Sequence, residues 1–360
     1  MMTVSILAAM RSPFAEADGV LAGWHPVDLS VEIADAAITR AGVTAASVDH
    51  VWVGCDEPVG AQGANLARAI VLAAGWPVTL GGTVVEAGPH SGVAALSAAA
   101  DAIEAGRAAR AIVLGVSSAS IVQPGAAALA RLYGRPWGDG PAARFADDGG
   151  LVPPAVAADR HAAALAIDRS AQDEWGWRAL DRRTPPPAGA ILAVGARPSD
   201  AVAVQRDTPV TTDVIRSIDH ELEPIFDADG TTTALTFAPA ADGVVALVLG
   251  HTGEALGEVA MTTSCAGSPL DVVSVRPDHD VDRLDFAAIS ASTALSALAL
   301  DEFDPALVDI DGSTTAVGDA AAAEDLRPLV DGLHRSPAGT TGFGARVSAG
   351  AAAGYVWRRL

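Results

Sequence analysis

With 360 residues, 50% of them hydrophobic, the chain can bury the core of one large domain or of two ordinary halves. A net charge of -21 argues against a nucleic-acid surface, and because all 23 basic residues are arginine, chemistry that needs a lysine (Schiff-base formation, amine base catalysis, a P-loop cation) is excluded. Two cysteines, Cys55 and Cys265, are too few for a disulfide framework and suit a reducing cytoplasm. No run reaches the roughly 20 apolar residues of a membrane helix, and the opening MMTVSILAAMRSPF lacks the basic start expected of a signal peptide.

Taken in order, Thr3 to Ala9 reads as a strand and Pro26 to Ala41 as a helix, with Leu29, Ile33, Ala37 and Ala41 on one face and Gly42 as its stop. His50 to Gly54 is a second strand. Gly60 to Gly63 is a loop, and Asn65 to Ala74 is a helix ended by Gly75-Trp76-Pro77. Thr83 to Glu86 is β-branched, Gly88-Pro89-His90-Ser91-Gly92 is turn chemistry, and Val93, Leu96, Ala100 and Ile103 recur at helical spacing, which predicts strand, turn and helix. Such a turn aims backbone N–H groups and a side chain at one point, where negative charge is stabilised. Ala111 to Gly115 is the next strand.

From Val116 to about Thr231 periodicity weakens and prolines cluster, which reads as an inserted, loop-rich region. Within it Ser170-Ala171-Gln172-Asp173 has the form of a capping box opening a helix that runs to Arg183. Strands are expected at Thr231 to Leu235, Gly243 to Gly250, from Val259 to Thr263, at Phe286 to Ser290, Leu307 to Ile310 and Ala351 to Trp357. Helices are expected to end near Leu300 and to cover Ala320 to Leu326. Residues 83–103 and 306–326 share a short apolar strand ending in an acid, a glycine turn and an Ala-rich helix, so a duplicated α/β unit with an insertion between its halves is implied.

Four ordered segments carry a resemblance: Arg11-Ser12-Pro13-Phe14, GAQGANLARAIVLAAGWP at 60–77, TVVEAGPHSGVAAL at 83–96 and GTTTALTFAPAADGVVALVL at 230–249. Together they are similar to the thiolase superfamily, and the resemblance runs from Arg11 to the end. It implies an α/β thiolase-like fold of two duplicated βαβαβ-type halves in a five-layered sandwich. Residues 1–115 and 231–252 would form the N-terminal half, 116–230 the inserted loop domain, and 253–360 the C-terminal half. It further implies coenzyme A or an acyl-CoA as ligand with no other cofactor required, and either a homodimer or a heteromer with an active thiolase-fold subunit. A small OB-fold partner is known among thiolase-like aldolases.

Thiolases use a nucleophilic cysteine, an activating histidine and a second, proton-moving cysteine. Matched on Ser91-Gly92, the first position falls on Pro89; matched on Thr83-Val84, it falls on Gly88. The histidine position matches Asp319 and the second cysteine Arg346. The oxyanion asparagine is lost in Ser290-Ala291-Ser292-Thr293-Ala294, and the family's pantetheine contact is absent around Asp148-Gly149-Gly150, though Arg182, Arg183 and Arg206 are available to phosphates. The candidate pocket is therefore Glu86, His90, Ser91, Phe237, Ala238, Ser292 and Asp319, with no side chain assigned a catalytic role and no metal.

The residues also admit plain readings. Ser91 suits a helix N-cap, His90 a hydrogen-bonded turn histidine, Asp319 a partner for Arg346, and Cys55 and Cys265 structural thiols. Asp278-His279-Asp280 reads as a solvated connection rather than a metal site. The sequence thus points to a thiolase-like protein without the thiolase reaction, serving as a non-catalytic subunit or acyl-CoA-binding module. The alternative is an acyl-CoA C-acyltransferase or a retro-aldolase-type enzyme using Asp319, His90 or Tyr355.

Overall fold

The structure is a computed structural model describing residues 4–129, 134, 137–198, 200–201, 203–208, 215, 222–251 and 254–360; Thr3 of the first expected strand lies outside these. Strands β1 (Val4–Arg11), β3 (His50–Gly54), β4 (Gly81–Val85), β5 (Arg110–Ser117) and β8 (Ala241–Gly250) are ordered β4-β3-β5-β8-β1. β3 runs parallel to β4 and β5, and β8 antiparallel to β5 and β1. The two-residue β2 (Ala15–Glu16) pairs with the start of β8, while β6 (Val194–Gly195) and β7 (Ala203–Val204) form a separate ribbon.

The second half repeats this plan. β9 (Gly257–Ala266), β11 (Arg283–Ala288), β12 (Thr341–Ala349) and β13 (Ala351–Arg359) are ordered β11-β12-β13-β9, with β11 parallel to β12 and β13 antiparallel to β12 and β9. A parallel bridge from Leu284 to Val308 stands where β4 stands in the first half, and β10 (Val272–Val273) lies against the end of β12. β1 and β9 meet antiparallel through Val4 to Ile6, which joins the two sheets edge to edge. The matching order and sense of the strands are the structural form of the duplication read in the sequence.

Three apolar cores separate five layers. The first lies under α1 (Pro26–Arg40) and α2 (Leu66–Ala73), where Ile33, Ile70, Val51 and Val248 meet. The second surrounds α3 (Ser91–Glu104) and the helices Ala321–Glu324 and Arg327–Arg335, packing Leu96, Leu329, Val245 and Trp357 between the sheets. The third places Leu298 of helix Ala291–Asp301 and Trp175 against Phe286 and Val356. Because β8 is covered on both faces, all ten of its residues are buried, and past Asp242 it reads as an apolar run rather than an alternation. In the intervening region are the short α4 (Ala126–Leu129) and α5 (Asp139–Arg144), then α6 (Pro154–Ala164) and α7 (Arg169–Arg182), the last two against the second sheet.

Several local expectations are corrected. α7 is capped by Asp168, whose Oδ1 accepts from Ala171 N at 2.9 Å, so Ser170 lies inside the helix instead of opening it. Thr231 to Leu235 is not a strand. Its β-branched residues are held by side chains: Asp159 accepts from Thr231 N, Thr232 N and the Thr232 hydroxyl, and Thr236 Oγ1 accepts from Thr233 N. Leu307 to Ile310 makes only the Val308 bridge, because Asp309 turns to φ 47°. Among the elements that went unforeseen are α6, the helix Arg327–Arg335 with Pro328 in its first turn, and β12, whose run TGFGARVSA is rich in small residues.

Candidate functional site

The site forms where the turn before α3 meets β12 and the segment before helix Ala321–Glu324. Gly88 at φ 61° lets the chain reverse after β4. Glu86 Oε1 accepts from Gly88 N at 2.9 Å. Ser91 Oγ accepts from Ala87 N at 3.0 Å and donates to Gly88 O at 2.7 Å, so Ser91 braces the turn from within. It is not the helix N-cap; His90 holds that place and makes no side-chain capping bond. At Gly92 a Cβ would collide with the Ala322 carbonyl oxygen, and glycine there brings the first turn of α3 against the second half of the molecule. Gly92 N donates to Asp325 Oδ2 at 2.9 Å, so a carboxyl from the second half satisfies one of the free N–H groups at the start of α3.

Arg346, on β12 and 4% exposed, is the centre of the cluster. Its two terminal nitrogens donate to the two oxygens of Asp319 at 2.8 and 2.9 Å, a bidentate fork. Its Nε lies 3.8 Å from Asp325 Oδ1, beyond hydrogen-bond reach. Burial works against the Arg346 charge, but Asp319, Asp325 and Asp56 outweigh it and hold the guanidinium protonated. Asp319 is fixed in turn: its N donates to Pro239 O at 2.7 Å and its Oδ1 also accepts from Ala321 N at 3.0 Å.

Around this pair, buried polar atoms lack partners. Arg346 Nε, Asp325 Oδ1, Asp56 Oδ1 and His90 Nδ1 are sealed from solvent without a hydrogen bond. His90 is therefore not the hydrogen-bonded turn histidine expected. Burial, and then the Arg346 charge, hold its pKa below the usual imidazole value. Burial pushes the Asp56 carboxyl up to about 7 against the opposing pull of Arg346 and the Ser91 hydroxyl, and raises Asp325 well above the carboxylate range. Beside the site a polar cavity of about 310 Å³ opens between α3 and β9, lined by His90, Ser97, Asp101, Thr262, Thr263 and Ser264.

The residues expected in the pocket are brought together unevenly. Pro89, His90 and Ser91 occupy the turn, and Asp319 and Arg346 face them. Phe237 and Ala238 lie one step further on, where Phe237 bridges Ser290 and stacks edge-on against Phe226 at 4.9 Å, while Ala238 N donates to Ile289 O at 2.8 Å. Ser290 caps helix Ala291–Asp301 through Thr293 N, and its hydroxyl meets that of the buried Ser292 at 2.8 Å. Glu86 is exposed at the rim. Tyr355 is fully buried with its hydroxyl donating to Asp325 O at 2.8 Å. Arg182 is committed to Val308 O at 3.2 Å. Cys55 is buried and its thiol is pushed up to about 12, chiefly by burial, so it is protonated at neutral pH; Cys265 is exposed. Asp278 and His279 pair with each other at 2.6 Å.

Asp56 and Asp325 are the members that sequence reasoning missed. For Asp56 a signal existed: it is an acid just past the strand His50–Gly54, as Glu86 is past β4. Asp325 sits more than 200 residues from the turn it serves, and nothing local marks it.

A family model described as the thiolase N-terminal domain matches residues 4–252. The chain is 28% identical over 366 residues to an acetyl-CoA acetyltransferase of Escherichia coli, covering 91% of each. It is 36% identical over 115 residues to a steroid 3-ketoacyl-CoA thiolase of Mycobacterium tuberculosis, covering 32% of this chain and 28% of that one. Among solved structures, the Acat5 thiolase of Ascaris suum, determined in complex with coenzyme A, superposes with a TM-score of 0.83 over 100% of both chains at 20% identity, a likeness of fold.

Proposed function

The chain belongs to the thiolase family, and on that premise we propose that it makes or breaks a carbon–carbon bond in a coenzyme A thioester without an acyl-enzyme intermediate. The observation that carries this reading is the polar cluster facing the turn before α3, in which Arg346 is forked to Asp319 while four enclosed polar atoms make no hydrogen bond. An unsatisfied buried polar group costs about 1–3 kcal/mol, so a cluster of them in one place supports a site shaped for a polar ligand rather than for packing alone. A guanidinium N–H without an acceptor, held in a closed environment, suits the oxygen of a thioester enolate.

Pro89 offers no atom to acylate, and the neighbouring thiol of Cys55 is held protonated. Claisen chemistry through an enzyme thioester thus has no acceptor in this turn, whereas aldol-type cleavage of a 3-hydroxyacyl thioester needs only a base for the hydroxyl and stabilisation of the enolate. The names of the relatives, acetyl-CoA acetyltransferase in one case and a coenzyme A complex in another, support a thioester ligand.

The test is to incubate the purified chain with a 3-hydroxyacyl-CoA and, separately, with acetoacetyl-CoA plus coenzyme A, following small products and intact protein by mass spectrometry. Release of a carbonyl compound and a shortened acyl-CoA from the first, with no mass added to the protein, is expected. Thiolysis with covalent acylation would overturn the reading, as would failure of either thioester to bind. The closed Asp319–Arg346 fork favours one second reading, a non-catalytic subunit that pairs with an active thiolase-fold chain. Turnover by the isolated protein rules against it.

A further inference from the structure

β3 ends at Gly54 opposite Val85 of β4, and Cys55 N donates to Val85 O at 3.1 Å, so the next residue, Asp56, follows at the end of β4, with its carboxyl in range of Ser91 and Arg346. Arg346 comes from β12, Asp319 and Asp325 from the segments just before and just after helix Ala321–Glu324, and Glu86 and the Ser91 hydroxyl from the turn. Cys55 and Glu57 flank it in the chain. The Ser91 hydroxyl lies near its carboxyl but spends its proton on Gly88 O; Oδ1 is enclosed and makes no hydrogen bond, and Arg346 Nε and Asp325 Oδ1 face each other at 3.8 Å without one.

An acid placed there for structure alone would be expected to take up the adjacent guanidinium. Instead Asp319 takes both terminal nitrogens of Arg346, and Asp56 is left with a free oxygen beside a cation bonded elsewhere. That is the arrangement of a group able to hold a proton and release it.

We propose that Asp56 is the proton-transfer group of this site, acting on the 3-hydroxyl of a 3-hydroxyacyl thioester; the assignment rests on the function proposed above. The carboxylate takes the hydroxyl proton, the O–H electron pair becomes the new C=O bond, and the C2–C3 bond breaks with its pair passing into the thioester as an enolate. The Asp56 carboxylic acid then returns the proton to C2. The products are an aldehyde or ketone and the shortened thioester, and no oxidant, reductant or second reactant is consumed. A carboxyl that titrates near 7 suits both halves of the cycle, since the base form is populated at neutral pH and the acid form can still give its proton up.

The experiment compares the full-length protein with Asp56→Asn, an isosteric change, using a 3-hydroxyacyl-CoA across pH 5 to 9. The wild-type rate should rise with pH as Asp56 ionises, with its midpoint about 7, and then level off. Asp56→Asn should lose about 100-fold or more in kcat at pH 8, keep KM within about two-fold, and show no such limb. Circular dichroism establishes that both proteins are folded. An active wild type together with a variant that keeps its rate and pH limb would overturn the role of Asp56 and leave the proposed function standing. A wild type that binds the thioester but does not cleave it would overturn that function, and this inference with it.

Discussion

Two buried arginine clusters lie within the same part of the molecule and are finished differently. In the first, Arg11 directs Nε to Asp331 at 2.8 Å and one terminal nitrogen to Asp207 at 2.6 Å, while its other terminal nitrogen reaches Asp207 and Asp331 at 2.9 and 3.2 Å. Arg327 is forked to Glu324 at 2.7 and 2.8 Å, and Glu324 accepts a further bond from the Thr314 hydroxyl at 2.8 Å. None of these side-chain atoms is without a partner. In the second, Arg346 is forked to Asp319, but its Nε faces Asp325 Oδ1 at 3.8 Å, too far for a hydrogen bond, and Asp56 Oδ1 has no hydrogen-bond partner. Similar side chains at similar burial therefore make a closed tie in one place and an unfinished one in the other. The first pins β1 to helix Arg327–Arg335; the second is where hydrogen-bonding capacity is held in reserve.

The sharpest way to break the contrast is to remove the cation from each. Arg11→Met strands Asp207 and Asp331, one of which is held below the usual carboxylate value only because Arg11 and Arg327 overcome its burial. A loss of about 3–5 kcal/mol is expected, measured by urea unfolding. Arg346→Met should cost less, about 1–3 kcal/mol, because it strands one forked carboxylate, Asp319, while Asp56 and Asp325 already have raised pKa values and can stay neutral. Its cost should also grow with pH: protonated carboxyls in the folded state favour folding at low pH, and that contribution fades as pH rises through the folded-state values. Unfolding midpoints at pH 5 and pH 8 check the sign, and an Arg346→Met cost equal to that of Arg11→Met at both would erase the distinction.

The smallest effect is a control. Asp309 is also buried with a partnerless Oδ2, yet it lies away from the turn, under α7, with burial and then Asp285 pushing it up to about 8. Its carboxyl binds a proton more readily folded than unfolded, so its stability contribution is present below about pH 4 and lost as pH rises to about 8. Asp309→Asn keeps an acceptor for Phe286 N, now 2.8 Å from Asp309 Oδ1, and tolerates the positive φ. It should gain about 1–2 kcal/mol at pH 8 and little at pH 4 in thermal melts, without altering thioester turnover. A change in turnover would mean that the second cluster extends further than drawn.

Much of the fold was open to inspection in the residues. The strand His50–Gly54 matches its expected bounds, α1 and α2 end where Gly42 and Gly75 stop them, and the echo between residues 83–103 and 306–326 corresponds to matching strand orders. These succeed because periodicity and breaker residues act over a few positions. The errors share a different cause. β12 escaped notice because TGFGARVSA is packed by its neighbours: Tyr355 and Trp357 of β13 fill the space over Gly344 and Gly342. Thr231 to Leu235 read as a strand because β-branching was weighed without Asp159, more than 70 residues earlier, which takes its N–H groups.

The same division holds at the site. The sequence by itself determined which side chains occupy the turn, because identity at a position in the chain needs no geometry. Only the tertiary structure decided that Asp319 and Arg346 form one fork, that Asp325 bonds the first turn of α3, and that Asp56 comes within range of Arg346 with an enclosed oxygen that makes no hydrogen bond. Those facts depend on segments far apart in the chain being pressed together by the close approach at Gly92, and burial and pairing, which set the charge each group carries, exist only once that approach is made.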